Sequence, residues 1–193
     1  MHWSRREVIA AAVAAPCMAW PPRRAQAHAS YGPVTPRVRA PTMSVATADG
    51  RTMALQSLLM GHTTAVQLMF TGCTATCPIQ GAIFADAARE LAGSSGELRL
   101  LSLSIDPLGD SPKALDAWLK RFGAPPQRWL AAVPRVQDVD RLLDFLRGRD
   151  TGVDRHTAQA FLFDRQARLA FRTIDMPSGI DLSALMRQLA ELR

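Results

Sequence analysis

The chain has few cysteines and no long hydrophobic run. Three cysteines in 193 residues are too few for a disulfide framework that would replace a hydrophobic core. The apolar stretch near the N terminus, residues 8–19, is too short to span a bilayer comfortably. The sequence therefore argues against a disulfide-rich scaffold and against a membrane span in that stretch.

Concentrated positive charge is also missing from the body of the chain. The net charge is +6, but residues 1–27 carry four arginines and one glutamate, and the remainder has a net charge of only +3. No basic stripe with interleaved aromatic residues is present, so we expect no nucleic-acid partner. With 48% hydrophobic residues and no internal repeat, the chain suits one globular domain with a sizeable core.

The N-terminal segment has the pattern of an export signal. Ser4-Arg5-Arg6 is a twin-arginine start, residues 8–19 form a mild alanine-rich apolar stretch, and Ala25-Gln26-Ala27 matches a small-x-small cleavage site. We therefore predict a twin-arginine-type signal over residues 1–27, which would carry the folded protein to the periplasm. Cys17 lies inside this segment and is expected to be removed with it.

The remaining pattern predicts one α/β domain. Residues 28–42 are rich in proline and arginine and are expected to form an extended lead-in, and the domain is expected over 43–193. The predicted strands are 43–48, 51–55, 66–70, 97–105, 129–133, 157–163 and 169–174, and the predicted helices are 56–60, 79–91, 113–122, 138–146 and 180–192. This order predicts helices covering a mixed sheet, with an N-terminal β-hairpin and a second hairpin near the end. The arrangement is thioredoxin-like.

Two cysteines lie between a predicted buried strand and a predicted helix. The strand is the apolar run 66–70, and the helix is indicated by apolar residues at every fourth position over 79–91. Pro78 suits the first helical turn, where a missing N–H costs nothing. Cys77 would then lie at the helix start, where the dipole and free N–H groups favour a thiolate. A loop from Cys73 could bring both sulfurs onto one ion or into one disulfide.

The chemistry of this pair leaves several alternatives open. Two thiolates suit Cu(I), and thiolates with imidazole also suit Zn or Cu(II). A plain disulfide or two inert buried thiols are the structural alternatives. His156 precedes a predicted strand, and its imidazole would complete a three-ligand site if that strand neighbours the cysteine strand. A histidine at a strand end is otherwise an ordinary surface or hydrogen-bonded residue.

Three segments together resemble the SCO/SenC family. They are Phe70-Thr71-Gly72-Cys73-Thr74-Ala75-Thr76-Cys77-Pro78, the pair Ser104-Ile105-Asp106-Pro107 and Asp110-Ser111-Pro112, and Asp154-Arg155-His156-Thr157 before a strand. The resemblance covers about residues 43–192. Members of this family are copper-binding proteins with a thioredoxin-like fold that help to assemble the copper centre of cytochrome c oxidase.

The resemblance implies a function and a ligand set. The family's copper ligands map onto Cys73, Cys77 and His156, and the bound metal would be Cu(I) or Cu(II). Asp106 and Asp110 match the family's acidic loop, where they would support the site or dock a partner, or else serve only turns and helix caps. The expected function is a periplasmic copper chaperone with an exposed site. Its partners would be a copper-receiving client protein, namely a cytochrome c oxidase subunit, and a periplasmic thiol reductant.

The sequence departs from the family, and other functions remain open. Many members keep an aromatic residue and a histidine in the cysteine loop, where this chain has Gly72 and Thr76. Many also keep an N-terminal membrane helix, so membrane association stays open. The alternative function is a thiol–disulfide oxidoreductase, in which one thiolate attacks a client disulfide and the other resolves it. The three-residue spacer and the lack of a proline near His156 favour copper over that chemistry. A third alternative is a peroxidase, since Thr74 and Cys77 fit a Thr-x-x-Cys motif.

Overall fold

The computed structural model describes residues 31–94, 97–151 and 155–192, so the predicted signal segment lies outside the described residues. The strands are β1 Gly32–Arg39, β2 Ser44–Thr47, β3 Thr52–Ala54, β4 Thr63–Met69, β5 Leu98–Ser104, β6 Trp129–Pro134, β7 Gln159–Phe163 and β8 Arg168–Asp175. The helices are α1 Leu55–Leu59, α2 Thr76–Glu90, α3 Pro112–Arg121, α4 Val136–Leu146 and α5 Gly179–Glu191.

The strands form one mixed sheet, as predicted. Their order is β1-β8-β7-β4-β5-β6-β2-β3. The three central strands β4, β5 and β6 are parallel, and the other pairs are antiparallel. Every residue of β4 is buried, because β4 is paired on both edges and covered on both faces. The strand that leads into the cysteines is therefore among the most constrained parts of the fold.

Helices cover both faces of the sheet. Apolar residues of α1 and α4 pack with one face, in a cluster that includes Leu59 and Leu146. Residues of α2, α3 and α5 pack with the opposite face, where Phe84 of α2 and Met186 of α5 lie in one cluster. Ser111 begins α3 as an N-cap, accepting a hydrogen bond from the Ala114 N–H at 3.2 Å, as its sequence predicted. Of the helices in the described part of the chain, none is long and apolar enough to cross a membrane.

The proline-rich segment before residue 43 belongs to the sheet. It is extended, as expected, but it forms the edge strand β1, which pairs with β8 through Gly32 opposite Arg172 and Val38 opposite Leu169. Prolines are tolerated there because an edge strand pairs on one side only. The described domain thus begins at β1 rather than at residue 43.

A buried carboxylate links the edge strand β1 to the turn between β7 and β8. Asp164, at the β7–β8 turn, accepts hydrogen bonds from Arg37 of β1 at 3.1 Å and from Arg168 of β8 at 2.9 Å. Burial acts to raise the pKa of Asp164, but the hydrogen bonds from the two arginines outweigh it and the pKa is lowered. The charged form is therefore the form that the folded protein stabilises.

The predicted N-terminal hairpin is also part of the main sheet. Strands β2 and β3 pair antiparallel around a turn in which Gly50 has a φ of +81°. The Arg51 guanidinium and the Thr47 hydroxyl donate to Asp49 and hold the pKa of its carboxyl at about 2. Strand β2 then pairs with β6, so the hairpin extends the sheet instead of preceding it.

Candidate metal centre

The cysteines lie on a tight connection between β4 and α2. After β4 ends at Met69, the Cys73 N–H donates to the Phe70 carbonyl at 3.1 Å and closes a turn. Helix α2 begins at Thr76, which makes Cys77 its second residue, as the position of Pro78 predicted. Both cysteines are thiols, and no disulfide joins them.

The first thiol acts as a cap on the helix. The Cys77 N–H donates to the Cys73 sulfur at 3.3 Å. This N–H is among those at a helix start that no carbonyl of the helix can satisfy. The positive end of the helix dipole favours negative charge at the same place. Two sulfurs therefore lie within one turn of chain, at the start of α2.

The site is buried, which corrects the expectation of an exposed one. Cys73 is 5% exposed, Cys77 is fully buried and His156 is 3% exposed. The thiols pack against Trp118 of α3 and neighbouring apolar residues. The sequence pattern could not predict this cover, because it comes from a helix about 40 positions further along the chain. Thr74, beside Cys73, is exposed, so Cys73 is the thiol nearer to solvent.

The structure brings His156 to Cys77 across 79 positions of sequence. The Nε2 atom lies 4.0 Å from the Cys77 sulfur. The Nδ1 atom lies 2.9 Å from the Thr157 carbonyl oxygen. A carbonyl only accepts, so Nδ1 carries the hydrogen and Nε2 of the neutral ring keeps its lone pair on the side of Cys77. The ring also contacts Phe70 edge to face, with centroids 6.4 Å apart.

The segment that carries His156 is held by a short antiparallel pairing. His156 is bridged to Arg149, and the Thr157 N–H donates to the Gly148 carbonyl at 2.9 Å. Gly148 passes close over the core, where an added Cβ would lie 2.8 Å from a methyl of Leu68. This residue must therefore be small for the His156 segment to lie against the sheet.

The side chain of Arg149 links this pairing to α4. Arg149 donates to Asp144 at 2.7 Å and to Asp140 at 2.8 Å. These hydrogen bonds, first that to Asp144 and then that to Asp140, raise the pKa of the guanidinium. No local motif marks Arg149, because its role follows from the pairing with His156 and not from its neighbours in sequence.

The aspartates of the predicted acidic loop have separate tasks. The buried Asp110 accepts from the Thr71 N–H at 3.1 Å, from the Thr71 hydroxyl and from the Ser104 hydroxyl at 2.6 Å. It thereby joins the start of the cysteine turn to the end of β5. Asp106 instead closes its own turn, accepting from the Gly109 N–H at 3.0 Å. Asp110 thus holds the cysteine turn, whereas Asp106 stabilises only its own turn, which was the alternative role given to both aspartates.

The donor atoms are of the types that bind copper, but they do not lie close enough together to hold an ion as they stand. Within residues 31–94, 97–151 and 155–192, no group of three or more His, Cys, Asp and Glu side chains is close enough to hold a metal ion. Thiolate sulfur and imidazole nitrogen nevertheless match the donors that Cu(I) and Cu(II) prefer. The fit is therefore one of donor type and location. The Cys73 side chain would need to turn from the Cys77 N–H towards a shared ion.

The fold and the site together define a protein of the thioredoxin-like class with a cysteine pair at a helix start. The sequence model of the SCO1/SenC family matches residues 41–191. This chain therefore belongs to the SCO1/SenC family.

Individual relatives agree with this assignment. The SCO1 protein homolog of Bacillus subtilis (strain 168) is 34% identical over 76 residues, which are 39% of this chain and 37% of that protein. The SCO1/SenC family lipoprotein of Bacillus anthracis str. Ames superposes with a TM-score of 0.70 at 21% identity, covering 82% of this chain and 98% of that one. Arabidopsis thaliana ScoI, solved with copper bound, has a TM-score of 0.63 at 18% identity, covering 77% and 96%. The two structural likenesses show the shared fold.

Proposed function

We propose that this protein is a periplasmic copper chaperone that binds one copper through Cys73, Cys77 and His156. The observation that carries the proposal is the 4.0 Å approach of His156 Nε2 to the Cys77 sulfur. It brings an imidazole to a cysteine pair from 79 positions away. Membership of the SCO1/SenC family and the copper-bound relative support the choice of metal.

The neighbouring residues prepare the donors for copper. Two thiolates and one imidazole offer soft and borderline donors, which suit Cu(I) and also accept Cu(II). The Thr157 carbonyl fixes the His156 tautomer so that Nε2 is the donor, as partners of metal-binding histidines generally do. Asp110 fixes the turn that carries Cys73. Burial of all three donors limits the access of water and of competing ligands.

Copper would leave through ligand exchange on the side of Cys73. Cys73 retains some exposure, whereas Cys77 has none. A client thiol or imidazole would therefore replace Cys73 first, and the donors from His156 and Cys77 would be released after it. The client is a copper-receiving protein, for which the family resemblance favours a cytochrome c oxidase subunit. Export through the Ser4-Arg5-Arg6 signal would place this chain in the periplasm, where a thiol reductant would keep the cysteines reduced.

A second function has an observation of its own. The Cys73 sulfur lies 3.3 Å from the Cys77 backbone nitrogen, so the two thiols share one turn of chain. A pair so placed would reduce a client disulfide in two exchanges. One thiolate attacks, breaks the client S–S bond and forms a mixed disulfide; the second thiol then displaces the client, which leaves with two thiols while Cys73 and Cys77 are oxidised to a disulfide. This thiol–disulfide oxidoreductase activity would prepare client cysteines for copper.

Two assays on the same preparation separate these functions. In the first, copper-loaded protein is mixed with the reduced copper-binding domain of a cytochrome c oxidase subunit, and copper on each partner is measured after separation. In the second, metal-free reduced protein is mixed with the oxidised domain, and its thiols are counted. Copper transfer to the reduced domain supports the chaperone. Thiol exchange without copper transfer would overturn the chaperone function and support the oxidoreductase function.

A further inference from the structure

A third buried sulfur belongs to the cluster that contains the two cysteines. Met69, the last residue of β4, is fully buried. It packs in the same cluster as Cys73 and Cys77. The other buried members of this cluster are Leu115, Trp118, Ala131 and Val133. The Trp118 indole N–H is only a donor and is bonded to Ser102 at 3.2 Å. The three sulfurs are therefore the side-chain atoms among the buried members of this cluster that could ligate a soft metal.

The pleat of β4 places Met69 on the face covered by α2 and α3. Alternate residues of a strand point to the same face. Ala65 packs in the α2 cluster, and Gln67 donates at 2.7 Å to Ser102, which also receives the Trp118 indole N–H. Met69 continues this row to the end of the strand. Its side chain therefore lies on the same face of the sheet as the start of α2.

We propose that the Met69 thioether is an additional copper ligand, which favours Cu(I). This inference rests on the proposed copper-binding function. A thioether is neutral and soft, so it adds a donor for Cu(I) without adding negative charge to a buried site that already holds two thiolates. His156 approaches Cys77 from the segment that precedes β7, whereas Met69 belongs to the end of β4.

The backbone of Met69 is fixed while its side chain can adjust. Met69 pairs with Ser104 in the parallel ladder, and the Ile105 N–H donates to the Met69 carbonyl at 2.9 Å. The unbranched side chain has three rotatable bonds, so the sulfur can shift without strain in the strand. A ligand of this kind completes a site from a rigid support and still releases the metal, because a neutral thioether binds more weakly than a thiolate.

The test compares two substitutions of buried methionines. Met69→Leu keeps an apolar side chain of similar volume and removes the sulfur. Met186→Leu, equally buried but in the cluster around Phe84, is the matched control. Cu(I) affinity of the reduced full chain is measured against a competing chelator. We expect Met69→Leu to bind Cu(I) about tenfold more weakly, while its Cu(II) affinity changes less. We expect the Cu(I) affinity of Met186→Leu to equal that of the unaltered protein.

A second readout identifies the ligand atom itself. The protein is produced with selenomethionine and loaded with Cu(I), and the copper X-ray absorption spectrum is searched for a selenium neighbour. We expect that neighbour in the labelled protein and its loss in labelled Met69→Leu. If Met69→Leu does not fold, the spectrum of the labelled unaltered chain decides alone, and absence of selenium overturns the proposal.

The possible failures are distinguishable. Lack of tight copper in the unaltered protein would overturn the proposed function and this inference with it. Tight copper that is unaffected by Met69→Leu, with no selenium neighbour, would overturn the Met69 ligand and leave the chaperone intact.

Discussion

Asp110 holds the cysteine turn, and its replacement by asparagine should loosen the site. Its carboxylate accepts the Thr71 N–H at 3.1 Å on both oxygens, and it also accepts the hydroxyls of Thr71 and Ser104. Asparagine puts an NH₂ group in place of one oxygen. The two hydroxyls can rotate to accept from it, but the Thr71 N–H cannot, so one buried interaction is lost or becomes repulsive.

These contacts determine the expected loss in the free energy of unfolding. Loss of a buried hydrogen bond to a charged group costs about 2 kcal/mol of the free energy of unfolding. In a domain of this size that lowers the Tm by about 4–8 °C. Since the displaced segment carries Cys73, Cu(I) affinity should fall in the same variant.

The assay is thermal unfolding followed by Cu(I) competition on the same samples. Asp116→Asn is the matched control, because Asp116 forms an exposed pair with Lys120 on α3 and surface pairs contribute little. Equal Tm values for the two variants, together with unchanged copper affinity in Asp110→Asn, would refute the role assigned to Asp110.

Three further predictions concern the frame of the site. Arg149→Ala should change the free energy of unfolding by less than about 1 kcal/mol, because the two aspartates that pair with Arg149 are exposed. The same substitution should weaken copper binding, because it releases the segment that carries His156. A copper affinity equal to that of the unaltered protein would contradict this prediction. The pKa of Asp164 is lowered on folding, so its contribution to stability is full above its unfolded pKa of about 4 and is lost as the pH falls towards the folded pKa. The stability gap between the unaltered protein and Asp164→Asn, measured in urea, should therefore narrow on acidification from neutral pH, and a constant gap would contradict it. Gly81→Ala should destabilise the fold, because the new Cβ would lie 2.4 Å from the Phe122 ring, and an unchanged Tm would show that the ring moves freely.

Local patterns in the sequence were enough to predict the centre of the fold. The run ending at Phe70, the break at Gly72 and the apolar periodicity after Pro78 each depend on neighbouring residues, so the strand, turn and helix around the cysteines could be read directly. The approach of His156 depended on β7 lying beside β4. The sequence left that neighbourhood as a condition, and the pairing of Val66 with Phe161 shows that the condition is met.

The edge of the sheet was harder to predict than its centre. Prolines 33 and 36 are typical of a linker, and only the partner strand β8 makes this segment a strand. Arg37, which anchors it, has its carboxylate partner 127 positions away. No local pattern carries that information.

The burial of the site could not be predicted from the sequence, for the same reason. The burial of Cys73 depends on α3 and Trp118, which reach it only through the packed fold. Asp110 was linked to the site by resemblance, but its hydrogen bonds to Thr71 required the structure. Met69 carried no signal in sequence, because a methionine at a strand end is typical of an ordinary core.

Cu(I) competition on the reduced protein and four variants tests the three-ligand site directly. These are Cys73→Ala, Cys77→Ala, His156→Ala and the control His62→Ala, which alters a histidine in the turn before β4. We expect one tightly bound copper per chain, which is lost in either cysteine variant, bound more weakly by His156→Ala and unchanged in His62→Ala. Lack of tight copper in the unaltered protein, or binding that is indifferent to His156, would contradict the account and favour thiol–disulfide exchange.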